Sequence, residues 1–340
     1  MRAVPITHHG GPEVLQLLEV PDPTPGPGQA LVRVRACALN HLDLWQRRGL
    51  EHVKLPLPHI PGSDISGELV DPGGSGLTAG ARVIVHPGLN CGHCPACLDG
   101  QDSLCATYGI VGYQSEGGYA ELAAVPARNL IALPPQVSFT DGAAFPLTFL
   151  TAWHMLVSRA HVREGETVLV MAAGSGVGQA AIQVARLHGA RVIATARQKE
   201  KLDAARALGA DDVVDTSQPD WSAEVRRLTN KRGADVVIEH VGAAVWEQAL
   251  KSLARGGRLV TCGATSGHRG ELDLRVLFVK QQSLLGSYMG TRADLGAAVE
   301  GLASGRLKPA VDSVLPLARA GDAHRRLEAR EQFGKIVLET

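Results

Sequence analysis

The chain has 340 residues, with 34 Lys and Arg against 34 Asp and Glu, 45% hydrophobic residues and 39 glycines. That length accommodates two domains of ordinary size, and a net charge of zero supplies no field to draw a polyanion, which argues against nucleic acid or an acidic membrane surface as partner. The longest uncharged stretch, 142–158, is interrupted by Pro146 and His154, short of the roughly 18 to 20 apolar residues of a membrane helix, and the first ten residues lack the apolar core of a secretion signal, so the expectation is a cytoplasmic protein acting on a small molecule.

In chain order, the first 130 residues are rich in Pro and Gly and carry short β-type runs. Residues 30–36 alternate apolar and polar side chains, as in a strand with one wet face, and 81–85 form a second run. From about Glu166 apolar runs alternate with helical patterns every twenty-odd residues, the signature of βαβ units. Strands are predicted at 167–171, 191–195, 212–215, 236–239, 258–262 and 283–286, which together predict an α/β fold with a doubly wound parallel sheet. The helices 177–188 and 199–208 end at Gly189 and Gly209, suited to the left-handed position after a helix. A helix at 294–303 and a final strand at 335–338, returning to the N-terminal part, complete the prediction.

The strand at 167–171 runs into Ala172-Ala-Gly-Ser-Gly-Val-Gly178 and then an amphipathic helix. Small residues at such a turn let the backbone approach a pyrophosphate, whose charge meets the N–H groups at the positive end of the helix. The strict G-x-G-x-x-G fingerprint is not met, since its glycine positions read Ala173, Ser175 and Gly178. Ala173, Ser175, Gly176 and Val177 are the expected pyrophosphate contacts. After the second strand, where an acid would bind the ribose 2′-hydroxyl of NAD, the sequence reads Ala196 and Arg197, with Lys199 and Lys201 beyond. The missing acid and the three cations favour NADP(H) over NAD(H).

Cys91, Cys94, Cys97 and Cys105 crowd into fifteen residues. Four soft ligands with no open position describe a structural zinc, one per subunit, rather than a disulfide framework. Cys37 and Cys262 are isolated and read as small buried hydrophobes.

The cysteine lobe, the βαβ domain and the segments Gly10-Gly-Pro-Glu-Val-Leu15, Ala38-Leu-Asn-His-Leu-Asp43, Pro61-Gly-Ser-Asp-Ile-Ser-Gly67 and Gly117-Gly-Tyr-Ala-Glu121 resemble the medium-chain dehydrogenase/reductase superfamily, the zinc alcohol dehydrogenase and quinone oxidoreductase group. The resemblance implies a GroES-like catalytic domain at 1–148 and 288–340, with its zinc lobe at 88–106, and a Rossmann domain at 149–287. It also implies a homodimer or homotetramer paired through the edge strand of the Rossmann domain. His41 matches a position near the cofactor pyrophosphate in that group, and Thr151, Ala196, Arg197, Lys201, Val241 and Gly263 complete the expected cofactor set.

The departures from the alcohol dehydrogenases are informative. Their catalytic zinc positions read here as Asn40, Ser63 with Asp64, and Leu147, and their proton-relay positions as Leu42 and Trp45. Zinc catalysis generally needs three Cys, His or carboxylate ligands, so Asn40 and the Gly-Ser-Asp segment look like the zinc-free quinone and enone reductases. Asn40, Ser63 and Thr148 are the candidate catalytic donors for the oxygen of a quinone or α,β-unsaturated carbonyl taking hydride from NADPH. Asp43 is expected to be structural, and Asp64 either a cleft carboxylate or a loop acid facing water. Two alternatives stand beside this reading: an alcohol or aldehyde dehydrogenase with an improvised metal site at His41, His59 and Asp64, and a non-enzymatic NADPH-binding protein.

Overall fold

The alternating run near residue 30 belongs to a longer strand, Gln29–Ala38 (β1), in which Ala30, Val32, Val34 and Ala36 are buried. The structure, a computed structural model, describes residues 1–49 and 55–340. After β1 come helix His41–Arg48 (α1), strands Asp64–Asp71 (β2), Arg82–Val85 (β3), Leu122–Pro126 (β4) and Leu130–Ala132 (β5), and helices Phe139–Ala144 (α2) and Pro146–Trp153 (α3). A βα series follows: Thr167–Val170 (β6), Gly176–Leu187 (α4), Arg191–Ala196 (β7), Lys199–Ala207 (α5), Asp212–Asp215 (β8), Trp221–Leu228 (α6), Ala234–Glu239 (β9), Ala243–Lys251 (α7), Leu253–Thr261 (β10), Leu274–Lys280 (α8) and Ser283–Gly286 (β11). The chain closes with Arg292–Ala303 (α9), Val311–Pro316 (β12), Ala320–Glu328 (α10) and Lys335–Glu339 (β13).

Two units result, Met1–Leu147 with Thr291–Thr340, and Thr148–Gly290. The expected boundary at 287/288 therefore moves to 290/291. Thr291 caps α9 in a reciprocal box with Asp294, donating its N–H to that carboxylate at 2.9 Å, so the return into the first unit begins at the cap.

The second unit is the doubly wound sheet expected. Its six strands are all parallel in the order β8-β7-β6-β9-β10-β11, the arrangement of a Rossmann fold. Leu169, Ile193, Val237, Leu253 and Leu259 from its strands pack with Trp221 and Val225 in the core. β10 begins five residues earlier than its apolar pattern indicates. Its first half, Leu253-Ala-Arg-Gly-Gly257, carries no apolar run, and the pairing with β9 shifts register between Ala234 and Val236.

In the first unit a seven-stranded sheet runs β12-β13-β1-β2-β3-β5, with β4 also paired to β1. β1 is antiparallel to β2 and to β13, and Ala38 at its end faces Asp64 on one side and Val337 on the other. Continuing the β13 register two residues brings Asn40 opposite Lys335, and the Leu39 N–H to Ile336 carbonyl bond at 2.9 Å extends the ladder that far. Three residues distant in sequence thus meet at one end of the sheet.

Candidate active site

The meeting point is a closed cluster of charge. Lys335 Nζ donates to Asp64 Oδ2 at 2.8 Å and to Asn40 Oδ1 at 2.7 Å, and Asn40 Nδ2 donates to Asp64 Oδ2 at 3.0 Å. The other carboxylate oxygen, Oδ1, accepts the backbone N–H of Leu147 at 2.7 Å. Asp64, Lys335 and Asn40 are 0%, 3% and 8% exposed. The acid that the sequence left between cleft and solvent is therefore buried and paired. A buried charge persists where a partner and hydrogen bonds compensate it, and here both are present.

Asn40 is also the N-cap of α1, in a box with Asp43 whose Oδ2 accepts the Asn40 N–H at 2.8 Å. Asp43 is wholly buried and accepts from Tyr119 Oη at 3.3 Å, while Tyr119 Oη lies 3.1 Å from His324 Nε2. Burial pushes the Asp43 carboxyl up to about 7, against the opposing pull of the Asn40 N–H and the Lys335 charge. Burial, aided by Arg47 and Arg48, holds His324 down to about 3, so its ring is neutral at physiological pH. Arg47 reaches from α1 to Glu328 on α10, tying the two helices together. The structural part expected of Asp43 is thus the capping of the helix that begins beside the cluster.

Ser63 is fully buried, and its hydroxyl has no hydrogen-bond partner among the described residues. Thr148 and Thr151 lie buried on α3. His41 opens α1, half-buried, and burial lowers its ring to about 4. His59 is spoken for, with Nε2 3.0 Å from the Gly112 carbonyl and Nδ1 3.7 Å from Glu116. His41, His59 and Asp64 do not converge. Among the described residues, the four cysteines form the one group of three or more His, Cys, Asp or Glu side chains whose ligand atoms come together. Around Asp64 an amide, a backbone N–H and an ammonium occupy the carboxylate, a set that offers a divalent cation no second strong ligand.

The dinucleotide turn is built for close approach. Ser175 caps α4, its Oγ accepting the Gly178 N–H at 2.9 Å and lying 2.8 Å from His240 Nε2. Ala172 takes a left-handed φ of 46°, and a Cβ on Gly178 would lie 2.3 Å from the Ala172 carbonyl oxygen, so only glycine fits there. The N–H groups of Gly176 and Val177, in the first turn of α4, point along the helix toward the turn, the arrangement that accepts a pyrophosphate. Ala173 is fixed by its N–H to the Thr195 carbonyl at 2.8 Å. Ala196 ends β7, followed by exposed Arg197, while Val241 and Gly263 follow the ends of β9 and β10. Of the two lysines beyond Arg197, Lys201 lies over the turn, with its Cδ 2.7 Å from where a Gly174 Cβ would stand. Lys199 instead points to solvent, 82% exposed and paired with Asp203 at 2.5 Å, and is removed from the cations facing the turn.

The Sγ atoms of Cys91, Cys94, Cys97 and Cys105 lie within 4.8 Å of one another, with Cys94 to Cys97 at 3.5 Å and Cys91 to Cys97 at 3.9 Å. Zinc–sulfur bonds of about 2.3 Å set the edge of a tetrahedral thiolate cage at about 3.8 Å. Backbone N–H groups already face the sulfurs, Cys94 N to Cys91 Sγ at 3.3 Å and Cys91 N to Cys105 Sγ at 3.4 Å, and bonds of this kind hold Cys91 below its ordinary value. The residues fit the ion.

A two-domain dehydrogenase with a dinucleotide turn and a cysteine lobe is the class defined by this fold and these sites. Residues 26–135 match the alcohol dehydrogenase GroES-like domain family and residues 176–304 the zinc-binding dehydrogenase family. A quinone oxidoreductase of Pongo abelii is 31% identical over 99% of this chain and 97% of its own. An acryloyl-coenzyme A reductase of Metallosphaera sedula is 32% identical over the whole of both chains. The crystal structure of an NAD-dependent alcohol dehydrogenase superposes over the whole of both chains with a TM-score of 0.96 at 50% identity. The chain belongs to the medium-chain dehydrogenase/reductase superfamily, in its alcohol dehydrogenase and quinone oxidoreductase group, and is an NAD(P)-dependent oxidoreductase. The binding-only alternative is thereby set aside. Among the described residues no helix is long and apolar enough to cross a membrane.

Lys335 is the residue that sequence reasoning missed. A lysine opening an otherwise apolar strand, Lys335-Ile-Val-Leu, was the available signal, since a buried lysine demands an anion.

Proposed function

We propose that the protein is a reductase of quinones or α,β-unsaturated carbonyl compounds that works without a catalytic metal. The observation that carries this reading is the Asn40–Asp64–Lys335 cluster, which fills the positions where the resemblance expects zinc ligands with a self-neutralised, hydrogen-bonded set. Oxidising an alcohol needs its hydroxyl deprotonated as hydride leaves, and the cluster offers no Lewis acid, while its one carboxylate is already engaged by an ammonium, an amide and a backbone N–H. Reducing a conjugated carbonyl demands less. Bound NADPH supplies a hydride to the electron-poor β-carbon. Asn40, with one N–H beyond that given to Asp64, donates to the carbonyl oxygen as charge develops there, and the Ser63 and Thr148 hydroxyls are the further candidate donors. The α-carbon then takes its proton from water. The relative named acryloyl-coenzyme A reductase acts, by its name, on an unsaturated carbonyl compound and supports this substrate class.

The pyrophosphate is assigned to the turn of Ala173, Ser175, Gly176 and Val177, with His41, Thr151, Val241 and Gly263 as further contacts, and the 2′-phosphate of NADP to Arg197 and Lys201 beside Ala196. Cys91, Cys94, Cys97 and Cys105 would hold one structural zinc. The catalytic domain is assigned to the first unit and the Rossmann domain to the second. Exposed Leu274, Val276, Phe278 and Val279 on α8, next to the sheet-edge strand β11, support assembly of two or four copies through that edge.

The 50% identical NAD-dependent alcohol dehydrogenase favours a second reading, alcohol oxidation with NAD. One experiment separates the two: zinc per subunit before and after mild chelation, with NADPH and NADH oxidation measured against a quinone and a short enone, and NAD reduction against alcohols. About one chelation-resistant zinc with enone or quinone turnover supports the reductase. Two zincs per subunit, with alcohol oxidation lost on chelation, would overturn it.

A further inference from the structure

The backbone on both sides of the cluster is fixed. Asn40 is held by its own N–H to Asp43 at 2.8 Å, and the preceding residue by Leu39 N–H to Ile336 at 2.9 Å. Lys335 donates its N–H to the Ala310 carbonyl at 2.9 Å, directly after Gly334, where a Cβ would lie 2.2 Å from that same oxygen. The freedom that remains at Asn40 is rotation of its amide, and the two ends of an amide have nearly the same shape.

We propose that Lys335 is a positioning residue that locks the Asn40 amide in one orientation, so that the N–H not bonded to Asp64 is the group always presented to the substrate oxygen. The choice between the two orientations is electrostatic. With Oδ1 toward the ammonium and Nδ2 toward the carboxylate, both contacts attract. Rotating the amide by half a turn sets Nδ2 against the Lys335 ammonium and Oδ1 against the Asp64 carboxylate, so both contacts repel. Without the ammonium, one of the two contacts that tell the orientations apart is gone, so Asp64 alone holds the amide less firmly. The role given to the Asn40 N–H rests on the reductase reading, whereas the lock itself does not.

The chain has four asparagines, so protein labelled with 15N only at asparagine shows four side-chain amide pairs, and Asn40→Ala identifies the pair of Asn40. In the wild type that pair is expected as a single, slowly exchanging set; in Lys335→Met it should broaden or shift while the other three stay. If Lys335→Met does not fold, the charge-free Asp64→Asn/Lys335→Met protein is read in the same way. An Asn40 pair unchanged in the folded variant would overturn the proposal. Kinetics supply the second arm, with NADPH and a short enone. Lys335→Met should lower kcat measurably, up to the roughly 100- to 1000-fold that losing one oriented donor costs, with KM little changed. In the Asn40→Ala background the same substitution should cost nothing further, because residues acting through one group are not additive. Losses that multiply would overturn the proposal. A wild-type enzyme that turns over no enone or quinone refutes the reductase reading, and the amide spectrum still decides the lock.

Discussion

The buried pair sets a large and specific stability difference. Lys335 Nζ and Asp64 Oδ2 are 2.8 Å apart, and neither residue is more than 3% exposed. At that distance and an effective dielectric near 20 the attraction is about 6 kcal/mol. Removing one partner strands the other away from water, which costs about 3–5 kcal/mol, whereas removing both charges together is neutral or stabilising. For a unit of about 200 residues each kcal/mol moves the midpoint by about 2–4 °C. Lys335→Met and Asp64→Asn should therefore each lower the melting temperature of the first unit by about 6–20 °C, the range these figures span. Asp64→Asn/Lys335→Met should return it close to the wild-type value. Differential scanning calorimetry measures the transition, and hydrogen exchange at Val337 and Leu338 on β13 confirms that the first unit is the one affected. Single variants within about 1 kcal/mol of wild type, or a double variant as unstable as the worse single, would refute the reasoning.

Three further outcomes are expected. Purified protein should carry zinc on the cysteine lobe. Cys94→Ser should lose it and lower the melting temperature, leaving the affinity for cofactor, measured by fluorescence titration, within about twofold because the dinucleotide turn lies in the other unit. Lys201→Ala should weaken NADPH about tenfold, the size of one charge-assisted contact, and leave NADH unchanged; equal effects on both cofactors would refute the 2′-phosphate assignment. The pH dependence of stability has opposing parts. His86 and His324, held at about 4 and about 3 when folded, contribute stability present above their unfolded value near 6.5 and lost as pH falls below it, while Asp43, raised to about 7, contributes stability that grows as pH falls from 7 toward 4. Between pH 7 and pH 5 each histidine costs about 2 kcal/mol and Asp43 returns about 2, a net loss of about 2 kcal/mol. Urea titrations in Asp43→Asn should show that loss roughly doubled.

The second unit was legible because its signals are local. Each strand, helix and terminal glycine is written in consecutive residues, and the six strands came out within a few residues except at β10, where Arg255-Gly-Gly257 interrupts the apolar pattern. The lysines after β7 held more than was read from them. Positions 199 and 201 are two apart on a helix and so face different ways, and Lys199 turns to Asp203 while Lys201 covers Gly174. The departures at Asn40, Ser63 and Asp64 were visible as residue types, but the partner that meets Asp64 was not. The cation comes from 271 residues further along than Asp64, and no periodicity or motif links positions that far apart. The register of β13 on β1 makes the connection, and a single sequence carries that register only as an apolar strand.

The same strand determines when the first unit becomes whole. Thr148–Gly290 is a continuous stretch that can fold as soon as it leaves the ribosome, in keeping with domains folding as they are synthesised. The first unit must wait for a segment made about 190 residues after its own N-terminal portion is complete. Until β13 arrives, β1 has an open edge and Asp64 has no counter-ion, so the half-made unit carries both an unpaired strand and a carboxylate better left in water. Synthesis of Lys335–Glu339 is thus the step that closes the sheet and permits the cluster to go dry, and a nascent chain stalled before Lys335 would carry a finished nucleotide fold and an unfinished first unit.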